Sequence, residues 1–364
     1  MTSGSWRARA VIDNAAFIHN LQRARQLAPN SQLMAVVKAN AYGHGVEALS
    51  AALNGSDQLA VIDVAEAQVL REKGLAQPIT ILQGASSADE LRWCVENDAI
   101  PVVCNLDQLR LLTTESTLSF WIKLDTGMHR LGLSAAELAE AMSLLNAAGI
   151  AGPYGFMTHF ACADNDAAFT QQQQTQFAEL TKPFSVAQAS LANSAAIFDF
   201  SISHADVIRP GIMLYGATPF SDRSAESLGL QPVMSLQAKV AAVRDLKAGE
   251  GVGYGMAWKA DKACQVAVIS AGYGDGVPRN MPAGQPLAVG ECLAQSVGRV
   301  SMDSCFALLP DGANVAVGDV ATIWGKHENG ELLPVDELAH ACGTIGYELL
   351  TRVTPRVQRV SCNG

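Results

Sequence analysis

Through roughly the first 230 residues the chain alternates short apolar runs with longer stretches whose apolar positions recur at helical spacing. The runs occupy 33–37, 59–63, 79–82, 100–103, 120–124, 155–159, 185–189 and 207–208, and the helical stretches include 66–73, 107–112, 135–148 and 169–180. Strand and helix in strict alternation imply parallel strands joined by crossover helices. Eight candidate strands favour closure into a (β/α)8 barrel over an open doubly wound sheet. Beyond about 231 the pattern changes to β-rich runs at 233–243, 265–269, 306–309 and 319–324, broken by glycine-rich turns, with one short helix near 335–342. The expected architecture is therefore α/β: a (β/α)8 barrel over 1–230, then a smaller, mostly β domain over 231–364. A tract of four glutamines at 171–174 suits an exposed helix face.

Composition narrows the partners. The chain has 364 residues and a formal net charge of −10, which disfavours nucleic acid. Its eight cysteines form no C-x-x-C pair, a spacing that suits reduced thiols in a cytoplasmic protein better than disulfides or a metal centre, so no metal is expected. Neither a signal sequence nor a membrane-spanning apolar stretch is visible, so no membrane association is expected.

In a (β/α)8 barrel, functional groups gather at the carboxyl ends of the strands. The first run ends in Lys38, followed by Ala39-Asn40-Ala41-Tyr42-Gly43-His44-Gly45. The fifth carries Lys123 and leads to Arg130, the sixth ends in His159, the seventh leads to Asn193-Ser194 and the eighth to Arg209-Pro210-Gly211. The loops after strands seven and eight are the usual phosphate site of this fold, and they offer the Ser194 hydroxyl and the backbone at Gly211. A phosphate-bearing cofactor beside a strand-end lysine suggests pyridoxal 5'-phosphate (PLP), held as a Schiff base.

At this point the chain closely resembles the alanine racemase family over nearly its whole length. The blocks that carry the resemblance begin at Ala35-Val36-Val37-Lys38, Lys123-Leu124-Asp125-Thr126-Gly127 and Val207-Ile208-Arg209-Pro210-Gly211. They continue at Gly253-Tyr254-Gly255, Gly272-Tyr273-Gly274-Asp275-Gly276 and Gly298-Arg299-Val300-Ser301-Met302-Asp303. Any one block is weak; six in order across two domains are highly specific.

The resemblance implies interconversion of L- and D-alanine, either supplying D-alanine for cell-wall peptidoglycan or degrading it, and leaves serine open as a minor substrate. It implies that Lys38 binds PLP and serves one face of the substrate Cα, while Tyr254 from the other subunit of a homodimer serves the opposite face. Arg209 would face the ring nitrogen, with His159 orienting it. Tyr42, Ser194, Gly211, Ile212 and Tyr347 would hold the phosphate, and Arg130 with the backbone of Met302 from the partner would meet the substrate carboxylate. Lys123 matches a lysine that is carbamylated in many members. A decarboxylase of the same architecture would want a carboxylate in place of Arg209, and a PLP-carrying protein without activity would lack the β domain and Tyr254.

Overall fold

In a computed structural model, the structure describes residues 6–112, 118–150, 153, 155–184 and 187–362. Eight parallel strands form the first sheet: Gln32–Val36, Gln58–Val61, Ile79–Ile81, Ala99–Val103, Trp121–Lys123, Gly155–Met157, Ala189–Ser190 and Val207–Ile208. The first seven pair in succession, and the eighth pairs with the first through Gln32↔Val207 and Leu33↔Ile208. Backbone bonds from Asp206 N to Ala189 O (3.2 Å) and Arg209 N to Ala192 O (2.9 Å) close the ring between the seventh and eighth strands. Nearly every strand residue is buried, as expected of a parallel sheet covered on both faces. The crossover helices begin where polar side chains cap them; Ser134 and Glu137 form a reciprocal capping box on Ala135–Ala147.

The seventh strand lies later than its apolar run suggests. It starts at Ala189, and residues 185 and 186 of that run fall outside the described residues. Phe156 and Met157 set its register by pairing with Ala189 and Ser190. The glutamine tract is also only partly exposed, because Gln173 on the helix Ala167–Thr181 is fully buried.

The second sheet has nine strands. Six of them (Met234–Leu246, Val320–Lys326, Pro286–Val289, Cys292–Val297, Cys305–Leu308 and Cys264–Ile269) pair antiparallel in a closed ring. The hairpin 286–297 has no counterpart in the sequence reading. Neither has Ala8–Asp13, which pairs antiparallel with Met234–Leu246 and parallel with Gln358–Cys362, so the amino-terminal strand belongs to the β sheet and not to the barrel. The late helix Val335–Ala341 is followed by a second, Gly346–Thr351, which returns to the barrel mouth. All eight cysteines are unpaired. Among the described residues no helix is long and apolar enough to cross a membrane.

Candidate active site

The carboxyl ends of the barrel strands surround a cavity of about 740 Å³. Ten residues singled out from the sequence line it: Lys38, Tyr42, Lys123, Arg130, His159, Ser194, Arg209, Gly211, Ile212 and Tyr347. Tyr254 and Met302 do not; they sit on the surface of the β domain, 73% and 52% exposed.

Lys38 does not end a strand. The strand stops at Val36, and Lys38 opens a left-handed turn in which Ala39, Asn40, Ala41 and Tyr42 have φ between 50° and 54°. Each non-glycine residue costs about 1–2 kcal/mol in that conformation, so other contacts must hold the turn. Glu66 supplies one at its start: Oε1 accepts from Ala39 N (2.6 Å) while Oε2 accepts from Ile62 N at the end of the neighbouring strand (3.0 Å). Asn40 Oδ1 accepts from Val46 N (3.0 Å), and the buried His44 ring lies 3.1 and 3.0 Å from the carbonyls of Ala41 and Tyr42. Arg359 Nε donates to Gly43 O (3.0 Å). Gly43 must be glycine, because a Cβ there would lie 2.1 Å from Leu350 O in the returning helix. The turn places Lys38 and Tyr42 together on the cavity wall.

Burial, and then the charge of Arg130, pull the Lys38 amine below its ordinary 10.5, with Glu66 opposing. Burial likewise brings Lys123 down to about 8, reinforced by Arg209, Arg130 and Lys38 and opposed by the Cys104 thiol. Four cationic side chains thus converge on one cavity, and Glu66 is the carboxylate that opposes the lowering at Lys38. An arrangement of this kind favours neutral lysine amines or anions between the cations.

Arg209 is 5% exposed and fixed from behind. Nη1 donates to Ser190 Oγ (2.6 Å), and Nη2 donates to Thr158 O (2.6 Å) and Leu191 O (3.2 Å), with His159 Nδ1 at 3.4 Å. Its Nε makes no hydrogen bond among the described residues, although the residue lines the cavity. Burial, then the charges of Arg209 and Lys123, hold His159 well below its usual 6.5, so the ring is neutral and can accept from Arg209.

The loops after the last two strands meet at Ser194. Its hydroxyl oxygen accepts from Gly211 N (3.0 Å) and Met213 N (3.4 Å), which leaves its proton to donate elsewhere. The Gly211 N–H is thereby committed to Ser194 and not to the cavity. Gly211 has a further role: a Cβ there would lie 2.6 Å from Tyr42 Oη. Tyr42 stacks on Tyr215, whose hydroxyl donates to Val36 O (2.9 Å). Burial raises Tyr42 to about 12 and raises Tyr347 as well, so both phenols stay protonated and act as donors.

Sequence reasoning missed Glu66 and Ser190. The first had a local signal, since Asp63 accepts from Glu66 N as a helix cap and the Asp-x-x-Glu spacing is that of a capping pair. The second had none; a serine within a two-residue strand is unremarkable until Arg209 is seen beside it.

This donor set fits PLP. Hydroxyl donors and the Ile212 backbone face one end of the cavity, the unpartnered Arg209 Nε is available to an acceptor nitrogen, and a lowered lysine amine stands beside them. A closed barrel with such a mouth suits an enzyme that carries out amine chemistry on a small anionic molecule. Comparison with known proteins makes this specific. Residues 12–219 match the alanine racemase N-terminal domain and residues 233–361 the C-terminal domain. The chain is 43% identical to alanine racemase of Vibrio parahaemolyticus over 356 residues, 96% of this chain and 98% of that protein. The solved structure of alanine racemase from Acinetobacter baumannii is similar with a TM-score of 0.91 and 39% identity, covering 98% of this chain and all of that one. The biosynthetic alanine racemase from Pseudomonas aeruginosa gives the same TM-score at 40% identity, covering 99% of this chain and 100% of that chain. The chain belongs to the alanine racemase family, a family of isomerases.

Proposed function

We propose that this protein interconverts L- and D-alanine in the barrel cavity, with PLP as cofactor and with two copies of the chain completing each site. When bound, PLP supplies an aldehyde that condenses with amines and a conjugated ring that spreads the electrons left by a departing Cα proton. Lys38 binds it through Nζ, which burial and Arg130 keep more readily neutral than an ordinary lysine. Tyr42, Ser194, Tyr347 and the backbone of Ile212 hold the phosphate as neutral donors, with Gly211 orienting the Ser194 hydroxyl. Arg209, still charged at neutral pH with its value brought down only to about 10, donates to the ring nitrogen and gives it no proton. A donor of this kind at the ring nitrogen would favour return of a proton to Cα over other outcomes.

Inversion at Cα needs a proton taken on one face and returned on the other. Lys38 Nζ serves one face. The phenols within the cavity, Tyr42 and Tyr347, are held protonated by burial and are poor proton acceptors. Tyr254 of the partner subunit serves the second face, and the partner subunit's Met302 offers its N–H to the substrate carboxylate beside Arg130. The observation that carries this reading is the depressed Lys38 amine in a cation-lined cavity from which both Tyr254 and Met302 are absent, each lying exposed on the β domain. Incubating the PLP-loaded protein with L-alanine should yield D-alanine until the two are equal. PLP bound without any loss of optical activity would leave only a carrier function. No membrane or nucleic-acid partner enters this reading, which places the protein in the cytoplasm, where eight unpaired cysteines would stay reduced.

Lys123 is carbamylated in this reading. With a value of about 8, roughly a tenth of the amine is neutral at pH 7 and can attack carbon dioxide, forming an N–C bond and releasing one proton to solvent. The cation becomes an anion facing Arg130. Protein equilibrated with ¹³C-bicarbonate should show a carbamate resonance that the Lys123→Ala variant lacks. A bare ammonium with no anion beside Arg130 would remove the assignment.

A further inference from the structure

The helix Ala167–Thr181 lies outside the barrel, and its four consecutive glutamines look alike in sequence. Gln171 and Gln172 are exposed, but Gln173 is completely buried with its carboxamide fully engaged. Its Nε2 donates to Thr126 Oγ1 and to His159 O, both at 3.2 Å, and its Oε1 accepts from Ala161 N at 2.9 Å. The bonds continue inward in one direction. Thr126 Oγ1, already accepting from Gln173, donates to Thr158 Oγ1 (2.7 Å), which donates to Leu124 O (3.0 Å). Thr158 O in turn accepts from Arg209 Nη2 (2.6 Å). Thr126 opens the loop that carries Arg130, and that loop lies directly on the same helix: a Cβ at Gly127 would touch the Phe169 ring at 3.0 Å.

We propose that Gln173 is a positioning residue that fixes the two cavity arginines relative to each other, holding the Arg130 loop through Thr126 and the Arg209 support through His159 and Thr158. It touches neither substrate nor cofactor. A buried amide with three satisfied bonds leaves no slack, and removing it strands the Ala161 N–H and the His159 carbonyl. The inference rests on the reading that Arg130 meets the substrate carboxylate.

The test uses the PLP-loaded protein and propionate, a carboxylate that has no amine and cannot condense with an aldehyde. Affinity is read from perturbation of the cofactor absorbance and from competition against alanine. Gln173→Met keeps the length of the side chain but none of its bonds. It is expected to weaken propionate binding about tenfold and to raise KM for alanine by a similar factor, with kcat within about threefold. Gln173→Glu preserves volume and polarity but loses the donors to both Thr126 Oγ1 and His159 O. Its propionate affinity should fall at pH 8 and recover toward the parent value as acidification protonates the new carboxyl, measured against the parent protein at each pH. Should the Met variant fail to fold, the Glu series and Thr126→Val, expected to weaken propionate binding severalfold, decide the matter. A lowered melting temperature with unchanged propionate affinity and KM in the folded variants would overturn the proposal. Arg130→Ala reports separately: if it binds propionate as the parent does, the assignment of Arg130 has failed, whatever Gln173 does.

Discussion

Replacing Lys38 with alanine is expected to lower alanine racemisation by at least about a thousandfold, because one change removes both a covalent anchor and a proton carrier. Lys38→Arg should be no better, since a guanidinium neither condenses with an aldehyde nor gives up a proton near neutrality. The competing amine is Lys123, which lines the same cavity and whose value of about 8 makes it nucleophilic too. Geometry separates the two. Lys38 is four residues from Tyr42 across a turn that brings both to the cavity wall, at the end proposed for the phosphate, whereas Lys123 stands on the fifth strand among Arg130, Arg209 and Cys104. Borohydride reduction of the holoprotein followed by peptide mapping should place the label on Lys38. A label on Lys123, or a Lys38→Ala protein that racemises at the parent rate, would end this account. The sign of the pH effect follows from the same surroundings. Because burial and Arg130 lower the Lys38 value, the neutral amine accumulates below pH 10.5, and cofactor capture should be complete at a pH where an ordinary lysine is still mostly charged.

Much of the barrel was readable because a strand buried on both faces must be apolar throughout, and a helix covering it must begin at a cap. The reading slipped where a tertiary partner, not the segment itself, decides. Ala189–Ser190 is too short to announce itself and takes its place from Phe156 and Met157. Ala8–Asp13 alternates buried and half-buried positions as any sheet strand would, yet its partners Met234–Leu246 and Gln358–Cys362 are more than two hundred residues away. The site shows the same division. The segments at strand ends named eight of the ten cavity-lining residues, Ile212 and Tyr347 coming only from the family resemblance, whereas the left-handed turn was invisible, since Ala39, Asn40, Ala41 and Tyr42 include no glycine to signal positive φ. What makes the turn affordable is Glu66 on another helix and Arg359 near the carboxyl terminus. Gln173 was hidden for a related reason: helical periodicity puts one residue of a polar tract inward, and only its partners tell whether that residue is strained or purposeful.

Changing Tyr254 to phenylalanine is expected to slow racemisation by about a hundredfold to ten-thousandfold, the range for loss of a positioned acid or base. The tyrosine is 73% exposed in its own chain, so the substitution removes a hydroxyl at a surface and should leave folding and PLP binding as they were. The informative measurement is exchange, not rate alone. In heavy water the variant should still exchange the Cα hydrogen of the enantiomer whose hydrogen faces Lys38, because that base remains, and should return it without inversion. The other enantiomer, whose hydrogen faces the missing phenol, should neither exchange nor invert. This asymmetry separates two bases on opposite faces from a single base that reaches both. If the variant inverts both enantiomers at full speed, Tyr254 is not the second proton carrier: either Lys38 reaches both faces or an uncarbamylated Lys123, with its value of about 8, serves the second. A mixture of the Phe variant with a Lys38→Ala variant adds an independent check. Subunits that exchange should form a hybrid dimer in which one of the two sites holds both Lys38 and Tyr254, and activity should rise from two inactive proteins toward a quarter of the parent value. No recovery, with exchange of subunits demonstrated, would place both groups in one chain's site and remove the shared dimer from the reading.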